Sequence, residues 1–276
     1  MRVLLLDIGN TRLKWGVHDG KDIVETGSIP QADITSGGLS VLTARLPLDI
    51  DHVVASNVAG AGLASRLKAV IELHCGCELR FAHVEAEAFG VTNGYREPRS
   101  MGVDRWVAMV GAWSEVGGAC VVVDAGTAIT IDVLDDAGLH LGGLILPGLA
   151  MMHSSLANAT SDLPLVGADW QVSHPGEDDL GTSTVSAVGL GVLHAAAGAV
   201  GRAAAVARAK GLEPDIILTG GDASRILAAI DGAATHLAEQ VVAKARLALI
   251  SPASTDSSLP IPGRTAVAGI TRAKGK

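Results

Sequence analysis

One short motif, an apolar strand that ends in Asp-x-Gly, occurs twice in this chain of 276 residues and constrains its fold more than any other feature. In the first copy, residues 3–17, an apolar run ends at Asp7 and a second run alternates between apolar residues and small or polar ones. A Gly-Asn pair joins the two runs, and such pairs tolerate the backbone angles of tight turns. The first copy therefore predicts a β-hairpin with Asp7, Gly9, Asn10 and Thr11 at its tip.

The second copy begins at Cys120 and repeats the same order of apolar strand, acidic residue, glycine, hydroxyl residue and alternating strand. Its acidic residue, Asp124, lies 117 residues after Asp7, and Gly126 and Thr127 follow it. A repeated hairpin predicts two related halves of the chain. We expect two similar lobes whose hairpin tips face one cleft.

Each tip combines groups that suit a nucleotide phosphate carried with Mg²⁺. In the first tip, Asp7 can hold the metal directly or through water, and Gly9 lets the backbone approach a phosphate closely. Thr11 and the nearby Lys14 add a hydroxyl and a positive charge. The alternative is an ordinary hairpin without a ligand, and the presence of a second copy favours the phosphate site.

Composition narrows the class of protein further. The formal net charge is −8 and no Lys/Arg-rich block occurs, which argues against nucleic acid as a partner. The three cysteines, Cys75, Cys77 and Cys120, form no metal-binding spacing and indicate reduced thiols in a reducing cytoplasm. The N-terminal apolar run is too short for a signal peptide, and the sequence predicts no membrane span.

A loop after Tyr95, the only tyrosine in the chain, leads into a helical pattern that begins at Asp104. Asp104 is either the N-cap of that helix or a catalytic carboxylate at the junction of the lobes, and spacing alone favours the N-cap. In the catalytic interpretation, the neighbouring Arg105 holds an anionic group of the substrate. The chain contains no P-loop motif, so it is not a P-loop kinase.

Pattern and turn residues also outline the rest of the chain. We predict lobes at 1–117 and 118–250 and a loosely held tail at 251–276. The predicted helices include residues 62–74, whose apolar residues recur at helical spacing, a long Ala-rich helix at about 184–209 and a last helix at 234–250. The pair Gly142-Gly143 allows either a ligand to approach the backbone or a simple bend, and the pair Gly220-Gly221 lies between a strand and a predicted helix start.

Taken in order, these motifs resemble type III pantothenate kinase, a family of the actin, Hsp70 and sugar-kinase superfamily. The segments that carry the resemblance are Asp7–Lys14, Gly102–Arg105, Asp124–Asp132, Gly142–Gly148, Gly181–Thr184 and Leu218–Asp222. The resemblance implies an α/β fold with two duplicated ribonuclease-H-like lobes, each with a mixed sheet flanked by helices, and a nucleotide cleft between them.

The resemblance also implies a reaction and its participants. The reaction is ATP-dependent phosphorylation of pantothenate to 4'-phosphopantothenate, the first step of coenzyme A biosynthesis. The enzyme would be a cytoplasmic homodimer that uses Mg²⁺ or another divalent cation and a monovalent cation, K⁺ or NH₄⁺.

Residue roles follow from the resemblance by position. ATP contacts are implied for Asp7, Ile8, Gly9, Asn10, Thr11, Arg12, Leu13, Lys14 and Thr127. Pantothenate contacts are implied for Tyr95, Gly102, Val103, Asp104, Arg105 and Thr184, the last from the neighbouring subunit. Asp104 would accept the proton and Asp124 would lie at the monovalent cation.

Some alternatives stay open on the sequence. Thr182 or Ser183 could take the place of Thr184, and His153 stands near a position where a basic residue is expected. A kinase for a sugar or acetate, or a regulatory relative without turnover, would share the hairpins. The segment Gly102–Arg105 argues against the first, and the complete set of acidic and basic tip residues argues against the second.

Overall fold

The computed structural model describes residues 1–167, 170 and 180–230, and the strand backbones of 235–237 and 271–272. The chain divides into two compact units, and the division falls between Glu115 and Val116. Each unit is a mixed β-sheet with helices, which confirms the predicted α/β class.

Unit 1 contains a five-stranded sheet. Its strands are β1 (Val3–Ile8), β2 (Arg12–His18), β3 (Ile23–Pro30), β4 (His52–Asn57) and β5 (Leu79–Phe81). The strand order is β3-β2-β1-β4-β5, with antiparallel pairing from β3 to β1 and parallel pairing from β1 to β5. The predicted hairpin is therefore β1 with β2, and β1 lies at the centre of the sheet.

The remaining elements of unit 1 are mostly helical. They are α1 (Gln31–Gly37), α2 (Ser40–Thr43), α3 (Ala61–Cys75), α4 (Val103–Val116), the small hairpin of β6 (Glu87–Ala88) and β7 (Val91–Thr92), and a 3₁₀ turn at Pro98–Ser100. Leu67 and Ile71 of α3 are fully buried against the sheet, at the helical spacing that predicted this helix.

Apolar side chains cover both faces of β1. Leu4, Leu6 and Ile8 belong to the main core, whereas Val3 and Leu5 pack with Val54 on the opposite face. Because successive side chains alternate between faces, Asp7 continues the face of Val3 and Leu5 at the end of the strand. The strand is thus fixed by burial on both sides, and its acidic end is held in place.

Unit 2 repeats this plan. Its strands are β8 (Cys120–Ala125), β9 (Ala128–Leu134), β10 (His140–Pro147), β11 (Asp215–Thr219), β12 (Thr235–Leu237) and β13 (Thr271–Arg272), in the order β10-β9-β8-β11-β12-β13. Its helices are α5 (Leu149–Ala159), α6 (Thr184–Arg208) and α7 (Ala223–Ala228). β8 to β11 pair as β1 to β4 do, which confirms the repeat that the sequence predicted.

Two sequence predictions change in unit 2. Thr235–Leu237 forms a strand, so the helix predicted from residue 234 is wrong at its start, and residues 238–250 lie outside the described residues. Most of the predicted tail lies outside them too, although Thr271–Arg272 pairs with β12. Gly142 lies inside β10 at a bulge, with a φ of 129°, so this glycine pair forms a bend within the strand.

The long helix α6 is the central helix of unit 2. Val192, Ala196 and Val200 pack in the same core as the strands β8 and β9. By length and composition alone α6 would also suit a membrane span, although a single such helix is weak evidence for one. Its packing against the sheet is that of a core helix in a globular unit.

Candidate active site

The first hairpin tip begins with Asp7, a half-buried carboxylate at the end of β1. Lys14 lies opposite Asp7 on β2, and Ser56 lies beside it on β4. The Ser56 hydroxyl donates a hydrogen bond of 2.9 Å to Asp7 Oδ1. Asp7 is therefore flanked by a cation and by a hydroxyl group that holds one of its oxygens.

The backbone of this tip turns over four residues, 9–12. Gly9 N–H donates to the carbonyl of Arg12 at 3.1 Å, and the Arg12 side chain donates to Ser28 Oγ at 2.7 Å. Asn10 and Thr11, at the end of the turn, are exposed to solvent. The tip thus presents polar backbone and two cations outward, as a phosphate site requires.

Two of the residues predicted to contact ATP belong to the core. The side chains of Ile8 and Leu13 have no exposed surface. They pack with Leu6 and Ile29 beneath the tip. Either residue can contact a ligand only through its backbone, and its side chain anchors the hairpin.

A residue that the sequence analysis missed braces the first tip. Gln31, the first residue of α1, donates from Nε2 to the Gly9 carbonyl at 2.9 Å. Its backbone N–H donates to the Thr11 carbonyl, also at 2.9 Å. These bonds connect Gln31 to residues 22 and 20 positions earlier in the sequence, so no local pattern predicted them.

The second tip is one residue shorter. Gly126 N–H donates to the carbonyl of Ala128 at 3.1 Å, so the turn covers residues 126–128. The Thr127 carbonyl accepts a hydrogen bond of 2.9 Å from the N–H of Gly148, at the start of α5. A Cβ atom at Gly148 would collide with the Gly126 carbonyl and lie 2.6 Å from that of Thr127. This position must therefore be glycine.

The carboxylate of the second tip has different neighbours from that of the first. Asp124 lies opposite Thr130 on β9 and beside Thr219 on β11. These two threonines occupy the register positions that Lys14 and Ser56 occupy in unit 1. The second tip therefore has an acidic residue without the cross-strand lysine.

The glycine pair after β11 packs directly against the second tip. Gly220 has a φ of 98°, and a Cβ atom there would collide with the Ala125 carbonyl. The same carbonyl accepts a hydrogen bond of 3.1 Å from Asp222 N–H. Here the glycine permits a close contact between backbone segments within unit 2.

Asp104 is the second residue of α4, so it is not the N-cap that spacing alone favoured. Its Oδ1 accepts a hydrogen bond of 2.8 Å from the backbone N–H of Arg105, in the first turn. Gly102 precedes the helix, and its carbonyl accepts the N–H of Trp106 at 3.2 Å. The side chain of Asp104 is half-buried, and only one of its two carboxylate oxygens accepts the hydrogen bond from Arg105.

The structure brings together two of the predicted pantothenate residues, Arg105 and Tyr95. Arg105 is buried, and its Nη1 donates to the Tyr95 hydroxyl at 2.6 Å. The guanidinium carbon lies 5.4 Å from the centroid of the Tyr95 ring. Asn93, which the sequence analysis did not select, accepts the Tyr95 N–H at 3.0 Å and so fixes the loop.

The candidate hydroxyl residues before α6 have different roles in the structure. Ser183 is the N-cap, and it forms a capping box with Ser186. Thr184, the first helical residue, is exposed. Because Ser183 forms these capping bonds, it is less suited to substrate contact than Thr184.

An open groove of about 940 Å³ runs along α5 and α6 in unit 2. It is lined by Met152, Ser155, Leu156, Leu163, Gly181, Thr182, Ser183, Thr184, Ala187, Val188, Gly191, Val192 and Ala195. The lining is largely apolar, with the hydroxyl residues gathered at the start of α6. The groove can therefore hold an apolar surface while offering polar contacts at one end.

Three further titratable groups lie away from the tips. Burial raises the pKa of Cys75 to about 11 and that of Cys120 to about 12, so both are protonated thiols at neutral pH. Burial, helped by the positive charge of Arg225, lowers the pKa of His153, whereas Asp222 raises it. His153 is thus a buried neutral residue of α5 and does not supply the basic group expected near this position.

Within the described residues, no cluster of three or more His, Cys, Asp or Glu side chains could hold a metal ion by itself. A Mg²⁺ ion that accompanies a nucleotide binds chiefly through phosphate oxygens and water, with one or two carboxylates from the protein. Asp7 is suited to that role by its position at the tip and by its bond to Ser56.

Comparisons with known proteins point to one family. Residues 3–206 match the family model for type III pantothenate kinase. A protein with that name from Dechloromonas aromatica (strain RCB) is 42% identical over 200 residues, which cover 72% of this chain and 79% of the relative. Another, from Azoarcus sp. (strain BH72), is 38% identical over 268 residues, which cover 95% and 96%.

A solved structure supports the fold independently. The crystal structure of a Campylobacter jejuni protein assigned to a Baf family of transcriptional activators matches this chain with a TM-score of 0.54. The match covers 90% of this chain and 96% of that chain, at 20% sequence identity. At this identity the likeness concerns the fold alone.

Proposed function

The chain belongs to the type III pantothenate kinase family, whose members phosphorylate pantothenate in coenzyme A biosynthesis, and we propose how its own residues divide that reaction. The substrates are pantothenate and ATP, and a kinase of this family uses a divalent cation with ATP. The product is 4'-phosphopantothenate. The observation that carries the proposal is the first tip, where Asp7, Lys14 and exposed backbone come together.

The first tip binds the phosphates of ATP. Lys14 and Arg12 supply positive charge, and the exposed turn at Asn10 and Thr11 supplies backbone N–H and hydroxyl donors. Phosphoryl transfer depends mainly on alignment and on neutralising charge, so a rigid cationic tip suits it. Asp7 would hold the divalent cation, which shields the phosphate oxygens when bound.

The second tip has a different task. Thr127 adds a hydroxyl contact to a phosphate, and Asp124 holds a monovalent cation, K⁺ or NH₄⁺. The absence of a lysine opposite Asp124 supports this assignment, because Thr130 occupies that register position. A carboxylate beside hydroxyl residues offers the oxygen ligands that such a cation prefers.

Asp104 orients the hydroxyl group of pantothenate and accepts its proton. Its half-buried position and the hydrogen bond from Arg105 N–H hold the carboxylate at the start of α4. In a loose transition state the proton leaves late, so a weak base is sufficient. Arg105 and Tyr95 hold the carboxylate end of pantothenate, with Gly102 and Val103 completing the loop that binds it.

The enzyme works as a cytoplasmic homodimer in which Thr184 contacts pantothenate bound by the neighbouring subunit. Leu144 and Ile145 on the edge strand β10 and Met151 on α5 are exposed apolar residues, and the groove beside Thr184 is largely apolar. Exposed apolar patches of this kind mark protein interfaces. Sedimentation velocity at micromolar concentration tests the dimer, and a monomer would contradict it.

A coupled assay of ADP release tests the reaction. We expect pantothenate-dependent turnover with Mg²⁺ and ATP that needs K⁺ and fails with Na⁺ as the sole monovalent cation. Asp104→Asn should lower turnover by about 10²-fold or more while ATP binding is kept, because general-base catalysis contributes that much. Turnover in Na⁺ alone would remove the cation assignment, and ATP binding without turnover would favour a regulatory relative.

A further inference from the structure

Gln31 makes two hydrogen bonds to the turn of the first hairpin tip, one from its side chain and one from its backbone. The side-chain Nε2 reaches the Gly9 carbonyl at 2.9 Å, and the backbone N–H reaches the Thr11 carbonyl at 2.9 Å. The two bonds lie on either side of Asn10. Gln31 thus braces the exposed turn of the tip from the start of α1.

The side-chain bond also fixes the direction of one backbone donor. In a trans peptide the C=O of one residue and the N–H of the next point in opposite directions. Because the Gly9 carbonyl points at Gln31, the N–H of Asn10 points away from Gln31 and α1. That direction is set by a side chain, and without it the Gly9–Asn10 peptide could rotate.

The corresponding position in unit 2 has no such brace. Gly148 follows β10 as Gln31 follows β3, and each donates its N–H to a tip carbonyl at 2.9 Å. Gly148 has no side chain, and steric contact with the Gly126 and Thr127 carbonyls excludes one. The brace is therefore specific to the tip that carries Lys14.

We propose that Gln31 is a positioning residue for the reaction, which fixes the Asn10 N–H toward the phosphates of ATP. The inference rests on the proposed function of the first tip and adds a residue that does not itself touch the nucleotide. A fixed donor binds a phosphate without the entropy cost of ordering the loop. Loss of the brace should therefore weaken ATP binding and leave the binding of pantothenate unchanged.

The test uses Gln31→Met, which has a side chain of similar length but no amide, in the full-length protein. Calorimetric titration with MgATP should give a Kd about three- to tenfold higher than that of the wild type, in line with the loss of one partly buried hydrogen bond. KM for ATP should rise by the same factor, while KM for pantothenate stays within twofold. Ser36→Ala, on the exposed side of the same helix, is the matched control and should bind ATP normally.

A second variant, Gln31→Glu, places an acceptor against the Gly9 carbonyl and should weaken ATP binding more than Gln31→Met does. Thermal unfolding checks that each variant is folded. We expect little change in the unfolding temperature, because Gln31 lies on a short surface helix. If the wild type binds ATP and both variants bind it equally well, the positioning role is wrong and the proposed function stands. If the wild type binds no ATP, the proposed function and the positioning role both fail.

Discussion

The two hairpin tips share one backbone plan and differ in charge and in bracing. In the first tip, Lys14 faces Asp7 across the hairpin, and Gln31 holds the turn through a side-chain bond. In the second, Thr130 faces Asp124, and Gly148 can offer only its backbone. A repeated element has thus become a cationic tip in one unit and an acidic tip in the other.

The two hairpin tips offer different groups to a ligand. A tip with added cations suits phosphate oxygens, whereas a carboxylate with threonines at the neighbouring register positions suits a metal cation. The difference arises from one residue of turn length and from the side chains at two register positions. At the base of each turn a glycine N–H donates to the carbonyl of the residue that begins the next strand, Arg12 in the first tip and Ala128 in the second.

The largest expected effect comes from adding a side chain where unit 2 excludes one. Gly148→Ala puts a Cβ against the Gly126 and Thr127 carbonyls, and we expect it to lower the free energy of unfolding by about 1–3 kcal/mol through overpacking. Urea unfolding measures the change. The matched variant Gln31→Ala should cost less, because it removes one hydrogen bond and creates no collision. Equal losses of stability at both positions would contradict the claim that only Gly148 excludes a side chain.

A smaller effect separates the roles of the two charges. Lys14→Met should raise KM for ATP about tenfold, as expected for the loss of a charge-assisted contact, and leave the activation by K⁺ intact. Asp124→Asn should remove the activation by K⁺ and change KM for ATP little in its absence. The measurement is initial rates over a matrix of ATP and K⁺ concentrations. Loss of K⁺ activation in Lys14→Met, or a tenfold rise of KM for ATP in Asp124→Asn without K⁺, would contradict these two assignments.

The smallest effect concerns the helices that follow the tips. Ser36 of α1 is exposed, whereas His153, 117 residues later in α5, is buried with a lowered pKa. A histidine whose pKa is lowered on folding stabilises the fold above its usual pKa of 6.5, and this contribution is lost as pH falls below that value.

Urea unfolding between pH 5 and pH 8 tests this assignment. The wild type should lose stability on acidification faster than His153→Gln, by at most about 1.4 kcal/mol per pH unit for one proton. His52→Gln, which removes an exposed histidine of unit 1, is the control and should follow the wild type. Parallel pH profiles for the wild type and His153→Gln would show that His153 does not cause the acid sensitivity.

Much of the fold could be predicted because it depends on local pattern. The alternating runs of β2 and β9 and the apolar spacing of α3 were sufficient to identify these elements. The helix α1 was missed, because only Ile34 is buried among its seven residues and no apolar period forms. The strand at Thr235–Leu237 was read as helix, since three residues carry too little pattern to decide.

The sequence was sufficient to predict the acidic and basic residues of the candidate site. It was not sufficient to predict the side chains that form hydrogen bonds to the first hairpin tip. Ser56 reaches Asp7 from 49 residues away, and Gln31 reaches Gly9 from 22 residues away. Such contacts depend on which strands become neighbours, which no local pattern contains. The contact of the buried Arg105 with Tyr95 is also tertiary. It brings together two residues that the sequence predicted separately as pantothenate contacts.

The tight packing at Gly148 limits how this duplicated chain can evolve. A single substitution there cannot recreate the glutamine brace of the first hairpin, because any side chain meets two carbonyls of the shorter turn. Such a brace would require an inserted residue in the turn together with the substitution. A substitution that is favourable at one hairpin tip is therefore not expected to be favourable at the equivalent position of the other tip.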